Sequence, residues 1–419
     1  MHCSSKFTGL GAVGWLIAFG APALSAPLLG PEFQRQTIIS KTYTTTGDSS
    51  VVHGNVFAGG VSTTGANADV LGNLVSGGAA TTGGTGSTVT GNIVSGGVAT
   101  TGDGSLIGGS VTSSGASTIG ANSRVTGDVT SVGAATTGDT SWVGGTIQTG
   151  GAASTGANSV VVGAVGAVGA ISVGANSLVG SQYALAASPF VATELTASLD
   201  AEAATHTSLI RYAQTALKSL GIGTVLAATM TTDTTLYSGV YSAASLSTTA
   251  GTTLTLDGQG KLDQVWVFNI ADILATGAST KIVMINAGAG SGIIWNTGGY
   301  ASLGASSVFL GTILAETYIS VGADAETLGV TKTCGGLFSA SSYVSTGAGA
   351  KVGGYGCYGI GSVFNVDNDG KVYRPVTIPP PEPSDNTVPE PQAWIMMLAG
   401  FFIIGSASRR RARRQAVAS

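Results

Sequence analysis

A glycine-punctuated repeat of eighteen residues organises the first half of this chain. Seven similar units follow one another, and the second carries one extra residue near Gly84. The units begin at Gly54, Gly72, Gly91, Gly109, Gly127, Gly145 and Gly163. A unit this short cannot enclose an apolar core, so each must stack on its neighbours to bury apolar side chains. The repeat therefore restricts the chain to a stacked, solenoid-like fold.

Each unit also divides into three short segments. Three glycines recur in every unit, as at Gly72, Gly78 and Gly83, and the residues between them alternate in polarity. Glycine tolerates a positive φ, which favours turns, and alternation favours strands. One unit thus predicts one coil of a β-helix, with successive coils about 4.8 Å apart. Two aliphatic columns mark the inward positions: Val56, Leu74, Ile93, Val111, Val129, Ile147 and Val165, and Val70, Val89, Ile107, Val125, Val143, Val161 and Val179.

A column of hydroxyl residues is predicted to face outward from these coils. Counting alternate positions from the aliphatic columns places one hydroxyl per unit outside, and its successor, a Thr, Ile or Val, inside. The outward residues are Thr63, Thr81, Thr100, Thr118, Thr136, Ser154 and Ser172. Threonine ladders stabilise sheets without any ligand. We therefore interpret this column either as a binding surface or as a purely structural ladder.

The pattern changes after the last unit. Apolar residues from Leu199 to Leu220 recur at steps of three and four, which predicts a helix over 194–220 that stops before Gly221. Alternating strand segments then return, among them Gln264-Val-Trp-Val-Phe-Asn-Ile270. The sequence predicts an all-β dominated fold in which β-solenoid (β-helix) coils carry one long α-helix packed alongside.

The segment after the repeats resembles a known family between Ser188 and Val352. The residues that carry the resemblance are Leu254-Thr-Leu-Asp-Gly-Gln-Gly260, Val265-Trp-Val-Phe268, Ile282-Val-Met-Ile-Asn286, Ile294-Trp295, Ala301-Ser-Leu-Gly304 and Phe309-Leu-Gly-Thr-Ile-Leu-Ala315. They are similar to the microbial ice-binding (antifreeze-like) protein family. The resemblance implies an irregular β-solenoid with a helix alongside, and a flat face of Thr, Ser and Ala that binds ice or an ordered water surface.

The hydroxyl column extends into this segment. Ser302, Ser320 and Ser345 share the Ser-x-Gly-Ala setting of Ser172, and Ala275 occupies the same setting without a hydroxyl. Together with the seven repeat residues they are the candidate ice-binding residues that the resemblance implies. The segment uses Ser and Ala where the repeats use Thr, so the fold is expected to carry over from the family better than the ice activity.

The N-terminus has the layout of a secretory signal. Lys6 precedes an apolar run, and small residues follow up to Ser25, after which cleavage is predicted. An exported chain meets oxidising conditions, so Cys334 and Cys357 are interpreted either as a disulfide or as two buried free thiols.

The C-terminus combines three unlike elements in a fixed order. Val388-Pro-Glu-Pro391 precedes an apolar run from Ala393 to Gly405, and an arginine cluster follows. This arrangement resembles the PEP-CTERM sorting signal, with Pro389, Glu390, Pro391, Arg409, Arg410 and Arg411 as its sorting residues. The resemblance implies an exosortase-type transpeptidase and an extracellular polysaccharide matrix as partners. It also implies transient anchoring in the inner membrane, through this segment alone, and delivery to the cell surface or matrix of a Gram-negative bacterium.

These observations predict the organisation of the chain. We expect a signal peptide over 1–25, a lead-in over 26–50, a seven-coil array over 51–182, an ice-binding-like solenoid with its helix over 188–356, a Pro-rich linker over 362–387 and the sorting signal over 388–414.

Composition limits the function. Charged residues make up 9% of the chain and the formal net charge is −4, which provides no basic patch for nucleic acid. The carboxylates of the repeats, such as Asp69, Asp103 and Asp139, are scattered and form no catalytic constellation, metal-ligand spacing or cofactor motif. Two non-enzymatic functions remain: ice binding, or a structural or adhesive matrix role without ice activity.

Overall fold

The structure is a computed structural model that describes residues 26–29, 33, 35–289, 291–329, 335–353, 365–366 and 372–373. All of them lie in one compact unit, Met1–Pro375. Most of this unit is a β-solenoid in which each coil has three short strands separated by turns. Strands of successive coils pair in parallel and in register, as at Thr63 and Thr81. The solenoid therefore has three faces, each a parallel sheet that runs along its length.

The three faces are numbered by their strands. Face 1 consists of Thr44–Thr46, Ser62–Thr64, Ala80–Thr82, Ala99–Thr101, Ser117–Ile119, Ala135–Thr137, Ala153–Thr155, Ile171–Val173, Thr229–Met230, Leu246–Thr248, Leu274–Ala275, Ala301–Leu303, Ile319–Val321 and Val344–Thr346. Face 2 consists of Gln36–Ser40, Asn55–Ala58, Leu74–Ser76, Ile93–Ser95, Val111–Ser113, Val129–Ser131, Ile147–Thr149, Thr224–Val225, Gly239–Ala243, Val265–Ile270, Gly292–Thr297, Thr312–Ala315 and Leu337–Ser339. Face 3 consists of Val51–Val52, Asp69–Val70, Thr88–Val89, Leu106–Ile107, Arg124–Val125, Trp142–Val143, Thr234–Tyr237, Thr253–Lys261, Lys281–Ala287, Val308–Leu310, Glu326–Leu328 and Lys351–Val352. Val160–Ala167 and Leu178–Ala184 run from face 3 into face 2.

The core of the solenoid is formed by the two predicted aliphatic columns. Every member from Val56 to Val165, and from Val70 to Val161, is at most 2% exposed. Val179 is only half-buried because it lies in the last coil of the array. Each such Val, Leu or Ile side chain contributes roughly 1.5–3 kcal/mol by leaving water. The inward prediction is confirmed, and stacking of one coil on the next is what buries these residues.

Buried hydroxyls at the turns are satisfied by backbone. The Ser105 hydroxyl donates to the Gly102 carbonyl at 2.7 Å, and the Ser141 hydroxyl donates to the Gly138 carbonyl at 2.7 Å. A buried hydroxyl is costly unless it is hydrogen-bonded. These serines therefore stabilise the corner between faces 1 and 3, and their hydrogen bonds offset the desolvation penalty of the buried hydroxyls.

Close contact between coils, and not positive φ, accounts for most of the repeated glycines. A Cβ at Gly77 would lie 2.2 Å from the Gly59 carbonyl oxygen, and a Cβ at Gly120 would lie 2.5 Å from the Gly102 carbonyl carbon. The left-handed conformation at the corners falls instead on residues such as Asn122, with φ of 56°. Asparagine adopts this region more readily than other non-glycine residues. The turn positions were predicted, but the physical role of their glycines differs from the prediction.

The spatial order of the coils differs from their order in the sequence. The first coil, which begins at Gln36–Ser40, stacks on the last coil of the chain's second half. Ile38 pairs with Leu337, Thr44 with Val344, and Val51 with Lys351. The region predicted as a lead-in is thus a coil in the middle of the solenoid. The array extends from it in one direction and the second half in the other, so the two predicted regions share one continuous core.

Among the described residues, one long helix returns the chain from the array to the far end of the solenoid. It spans Ala192–Lys218, close to the predicted 194–220, and buries Leu199, Ala203, His206, Ile210, Ala213, Gln214 and Leu217. All but Gln214 belong to the predicted apolar face. This face packs on outward residues of face 2, including Ile39, Phe57, Leu314 and Phe338. The helix therefore closes the middle of face 2 to solvent.

Polar side chains of face 2 anchor the C-terminal end of the helix. The Asn269 Nδ2 donates to the Leu217 carbonyl at 2.7 Å, and the Asn296 Nδ2 donates to the Gln214 carbonyl at 3.0 Å. The last carbonyls of a helix have no partner within it. These two amides satisfy carbonyls near that end, and they do so in the buried interface.

A small antiparallel sheet lies outside the solenoid. Ala26–Pro27 pairs with Asn365–Val366, which pairs with Val372–Tyr373. The stretch predicted as a Pro-rich linker over 362–387 therefore begins with strands, because its first residues precede the prolines.

Loss of the central helix contact should destabilise the fold. Phe57 is fully buried between the sheet and the helix, so Phe57→Ala removes a large apolar side chain and leaves a cavity. We expect a loss of about 3–5 kcal/mol in the free energy of unfolding, measured by denaturant titration. Tyr212→Ala is the matched control, because Tyr212 lies on the solvent side of the same helix at 52% exposure and should cost little. Equal effects of the two changes would contradict the helix docking.

The buried histidine should make stability depend on pH. Burial between Phe33 and Phe57 lowers the pKa of His206 to about 4. The unfolded chain keeps a pKa near 6.5, so it binds the proton first as the pH falls. Neutral His206 therefore stabilises the folded state fully above pH 6.5. Between pH 6.5 and about 4 this contribution is lost, and the free energy of unfolding falls by about 3 kcal/mol.

The measurement is denaturant unfolding at several pH values for the wild type and for His206→Leu. Glu202, whose pKa burial raises, has Oε1 3.9 Å from His206 Nε2, so both proteins are compared in a Glu202→Gln background that removes its titration. A difference that does not change across this pH window would show that His206 is not held neutral by the fold.

Candidate functional site

Face 1 carries one unbroken file of outward positions along the whole solenoid. In spatial order the hydroxyl file is Thr229, Ser247, Ala275, Ser302, Ser320, Ser345, Thr45, Thr63, Thr81, Thr100, Thr118, Thr136, Ser154 and Ser172, each directly paired with the next. Only Ala275 lacks a hydroxyl. At about 4.8 Å per strand the file is about 60 Å long. The structure thus brings all ten sequence-predicted candidates into one line.

Each file residue is held outward by its two neighbours. In Ser62–Thr64 the outer two residues are buried and Thr63 is not, and Ala135–Thr137 repeats the pattern with Thr136 exposed. Adjacent residues of a strand point to opposite faces. Burial of the flanking side chains therefore fixes the backbone beneath the hydroxyls from Ser302 through Thr45 to Ser154, whereas the residues that flank Ser172 are only half-buried.

The file hydroxyls are free to bind water. At the far end, the hydroxyls of Thr229 and Ser247 bond to each other at 2.9 Å. Within the part of the chain that the structure describes, the hydroxyls from Ser302 through Thr45 to Ser172 have no protein partner. A purely structural ladder would bond these groups to one another. Their open hydrogen-bonding capacity favours the interpretation as a binding surface.

Small residues flank the file on the side that follows it in most coils. Just beyond the glycine that follows the file residue lie Ala66, Ala121, Ala157, Ala175, Ala278, Ala305, Ala323 and Ala348. Aspartates take this place in three coils, but their carboxylates are used by the backbone. Asp103 Oδ1 accepts from the Ala121 amide at 2.8 Å, and Asp139 Oδ1 accepts from the Ala157 amide at 2.7 Å. They serve as turn anchors, which explains part of the scattered acidic residues in the repeats.

Face 3 differs from face 1 in charge. Its outward positions include Lys281, Glu326, Lys351, Asp69 and Arg124. Lys351 Nζ lies 2.8 Å from Glu326 Oε1, and this bond raises the pKa of the lysine. Arg124 covers the Trp142 ring at 3.6 Å from its centroid. The helix covers the middle of face 2, so among the described residues face 1 is the face that is both open and nearly uncharged along its whole length.

Four stacked tyrosines border the file where the two halves of the chain meet. Tyr300, Tyr318, Tyr343 and Tyr43 lie in successive coils, with ring centroids 4.6, 5.0 and 4.6 Å apart. Desolvation by burial raises the pKa of Tyr318 and Tyr343. This ladder was not predicted from the sequence. Its signal is a tyrosine two residues before the file residue in each of the four coils.

Three file residues were also missed, namely Thr45, Thr229 and Ser247. Thr45 stands in the Thr-Thr-Gly setting of Thr63, so the repeat pattern contained its signal. Thr229 and Ser247 lie in coils without the repeat glycine after them, and only the strand pairing places them in the file.

The described residues offer no cluster of three or more His, Cys, Asp or Glu side chains suited to a metal ion. Asp257 accepts from the Gln259 amide and from Asn286 Nδ2, and so organises a turn. Cys334, Cys357, and the sorting residues Pro389, Glu390, Pro391, Arg409, Arg410 and Arg411 lie outside the described residues, as do 1–25. Over the part that is described, no helix combines the length and apolar character needed to cross a bilayer.

Comparison with known proteins gives consistent matches. A family model described as Ice-binding-like matches residues 112–348. Ice-binding protein 1 of Shewanella frigidimarina is 38% identical over 96 residues, which is 23% of this chain and 11% of that protein. The ice-binding protein of a Nostoc species is 38% identical over 101 residues, or 24% of this chain and 35% of that protein. The chain thus spans about a third or less of the length of these relatives.

Solved structures match over most of the chain at low identity. A domain of the Shewanella frigidimarina protein is 18% identical, with a TM-score of 0.39. The match covers 78% of this chain and 97% of that domain. A glycosylated ice-binding protein from an Arctic yeast is 15% identical, with a TM-score of 0.38. The match covers 80% of this chain and 95% of the yeast protein. The family-model match, in contrast, spans more than half of the 419 residues and includes the last coils of the array as well as the helix. The chain therefore belongs to the Ice-binding-like family.

Proposed function

We propose that this protein is an exported ice-binding protein that binds ice through the hydroxyl file of face 1. The observation that carries the proposal is the file itself: regularly spaced hydroxyls on a long open face, which have no protein partner from Ser302 through Thr45 to Ser172. Membership of the Ice-binding-like family supports it, as does the similarity to two ice-binding proteins.

Recognition of ice needs a large and regular array in place of a pocket. The coil spacing of about 4.8 Å lies near a repeat of the ice lattice, so successive hydroxyls and methyls can hold a matching layer of water. A rigid surface loses little entropy when it binds. Charged groups keep their own hydration shells, so the concentration of charges on face 3 leaves face 1 suited to ordered water.

Delivery to the cell surface or extracellular matrix is part of the proposal. The signal-like N-terminus and the PEP-CTERM-like C-terminus support it, with an exosortase-type transpeptidase as the processing partner. The sorting signal also favours a second candidate function, a structural or adhesive matrix protein in which the array is a spacer. The two candidates differ in one measurable property, the activity of face 1 on ice.

The first measurement is thermal hysteresis and inhibition of ice recrystallisation by the purified protein. We expect both activities at micromolar concentration. Their absence from a protein with the circular dichroism of a folded β-solenoid would reject ice binding and favour the matrix role.

Bulky residues in the file should abolish the match to ice. The triple variant Thr100→Tyr, Thr118→Tyr and Thr136→Tyr places three rings on face 1, above an unchanged core. We expect a several-fold loss of thermal hysteresis with little change in unfolding temperature, because surface substitutions usually cost less than about 0.5 kcal/mol.

The matched control places the same three rings elsewhere on the array. Thr88, Thr90 and Thr126 lie on face 3 or at its corner, and their replacement by Tyr should leave the activity intact. Loss of activity in the control, or its retention in the face 1 variant, would show that another surface binds ice.

A further inference from the structure

The array end of the solenoid is an open edge. Its last strands, Ile171–Val173 and Leu178–Ala184, pair with the preceding coil, and no other described strand covers their free side. The inward residues Val173 and Val179 are half-buried, whereas Val161 one coil earlier is 2% exposed. Unpaired strand edges with exposed apolar groups are templates for pairing with another chain.

This edge lacks the usual protection against pairing. Proteins commonly place charged residues or proline on an edge strand. From Thr140 to Thr193 the chain contains no charged residue and no histidine, and Pro189 lies beyond the last strand. Two such ends can approach each other without like-charge repulsion.

The opposite end of the solenoid does not match the array end. Its last strands are Thr224–Val225, Thr229–Met230 and Thr234–Tyr237. The core there contains Met230 and Tyr241, and Asp233 adds a charge, whereas the last coil at the array end has Val173 and Val179 at its inward positions and no charged residue. Stacking the array end of one copy on the opposite end of another (head-to-tail) would therefore join two different cross-sections. Stacking two array ends on each other (head-to-head) joins identical ones.

We propose that the array end is a self-association surface, and that two copies of this chain stack end to end about a two-fold axis through face 1. Ile171–Val173 then pairs antiparallel with its own copy. Leu178–Ala184, which runs from face 3 into face 2, pairs with the partner's equivalent strand across the opposite corner. Such an isologous contact closes on itself and stops at a dimer. It also sets the two hydroxyl files in line on one side.

Gln182 provides the sharpest test. It pairs with inward-facing Val165 and occupies the inward column of the last coil, where it is exposed. Gln182→Glu adds a charge with almost no change in shape. In the dimer the two copies would bring like charges into a dry edge, and we expect at least about a tenfold rise in the dimer dissociation constant.

The experiment is sedimentation velocity of the purified protein over a range of concentrations, with circular dichroism to verify folding. The wild type should sediment as a dimer, and Gln182→Glu and Gln182→Lys should each sediment as monomers. An equimolar mixture of the two variants should restore the dimer, because opposite charges then meet at the two-fold contact. Gln259→Glu, the same change in a turn remote from the array end, should remain dimeric.

Three results would overturn the proposal. They are a wild type that stays monomeric at every concentration, oligomers larger than a dimer, and variants that are not rescued by mixing. Rescue is specific to head-to-head contact because head-to-tail stacking never brings two copies of residue 182 together. None of these readouts depends on ice activity, so the proposal stands or falls separately from the function.

Discussion

Stacking of coils at one strand spacing is the constraint on which the structure depends. Because each coil lies about 4.8 Å from the next, every side chain has an equivalent neighbour directly above and below it. A position that is large in one coil must be accommodated in the next. Glycine recurs from coil to coil where backbones approach closely, as at Gly77. Aliphatic residues recur where the inward column is buried. The regularity of the hydroxyl file is a consequence of the same constraint, since a rigid ladder beneath it fixes every spacing.

The three faces of the solenoid have become different surfaces on one backbone. Face 2 has outward apolar residues and two amides, and these hold the helix. Face 3 carries Lys281, Arg124 and the ion pair between Lys351 and Glu326. Face 1 has one outward hydroxyl in every coil except that of Ala275. One sheet geometry thus supports a helix-docking surface on face 2, a charged surface on face 3 and a nearly uncharged surface on face 1. This is possible because adjacent residues of a strand point to opposite sides of the sheet, and because corners separate the three faces.

Much of the fold was predictable because its signal is local. The eighteen-residue period defined the coils, alternation placed Thr63 outside and Thr64 inside, and steps of three and four defined the helix. The junction between the first and last coils was not predictable. Thr44 and Val344 pair across 300 residues, and no periodicity links them. The same reason hid Thr229 and Ser247, which join the file through pairing and not through the repeat pattern.

The position of the first coil has a consequence for how such proteins change length. The array grows away from the junction, and coils beyond Val111–Ser113 extend past the start of the helix at Ala192. Duplication of one eighteen-residue unit there would add a rung without altering the buried helix contact. The return segment would need to reach only about 5 Å further, which one or two residues provide. A gene encoding this architecture can therefore lengthen its exposed surface in single-coil steps, and each step leaves the rest of the packing as it was.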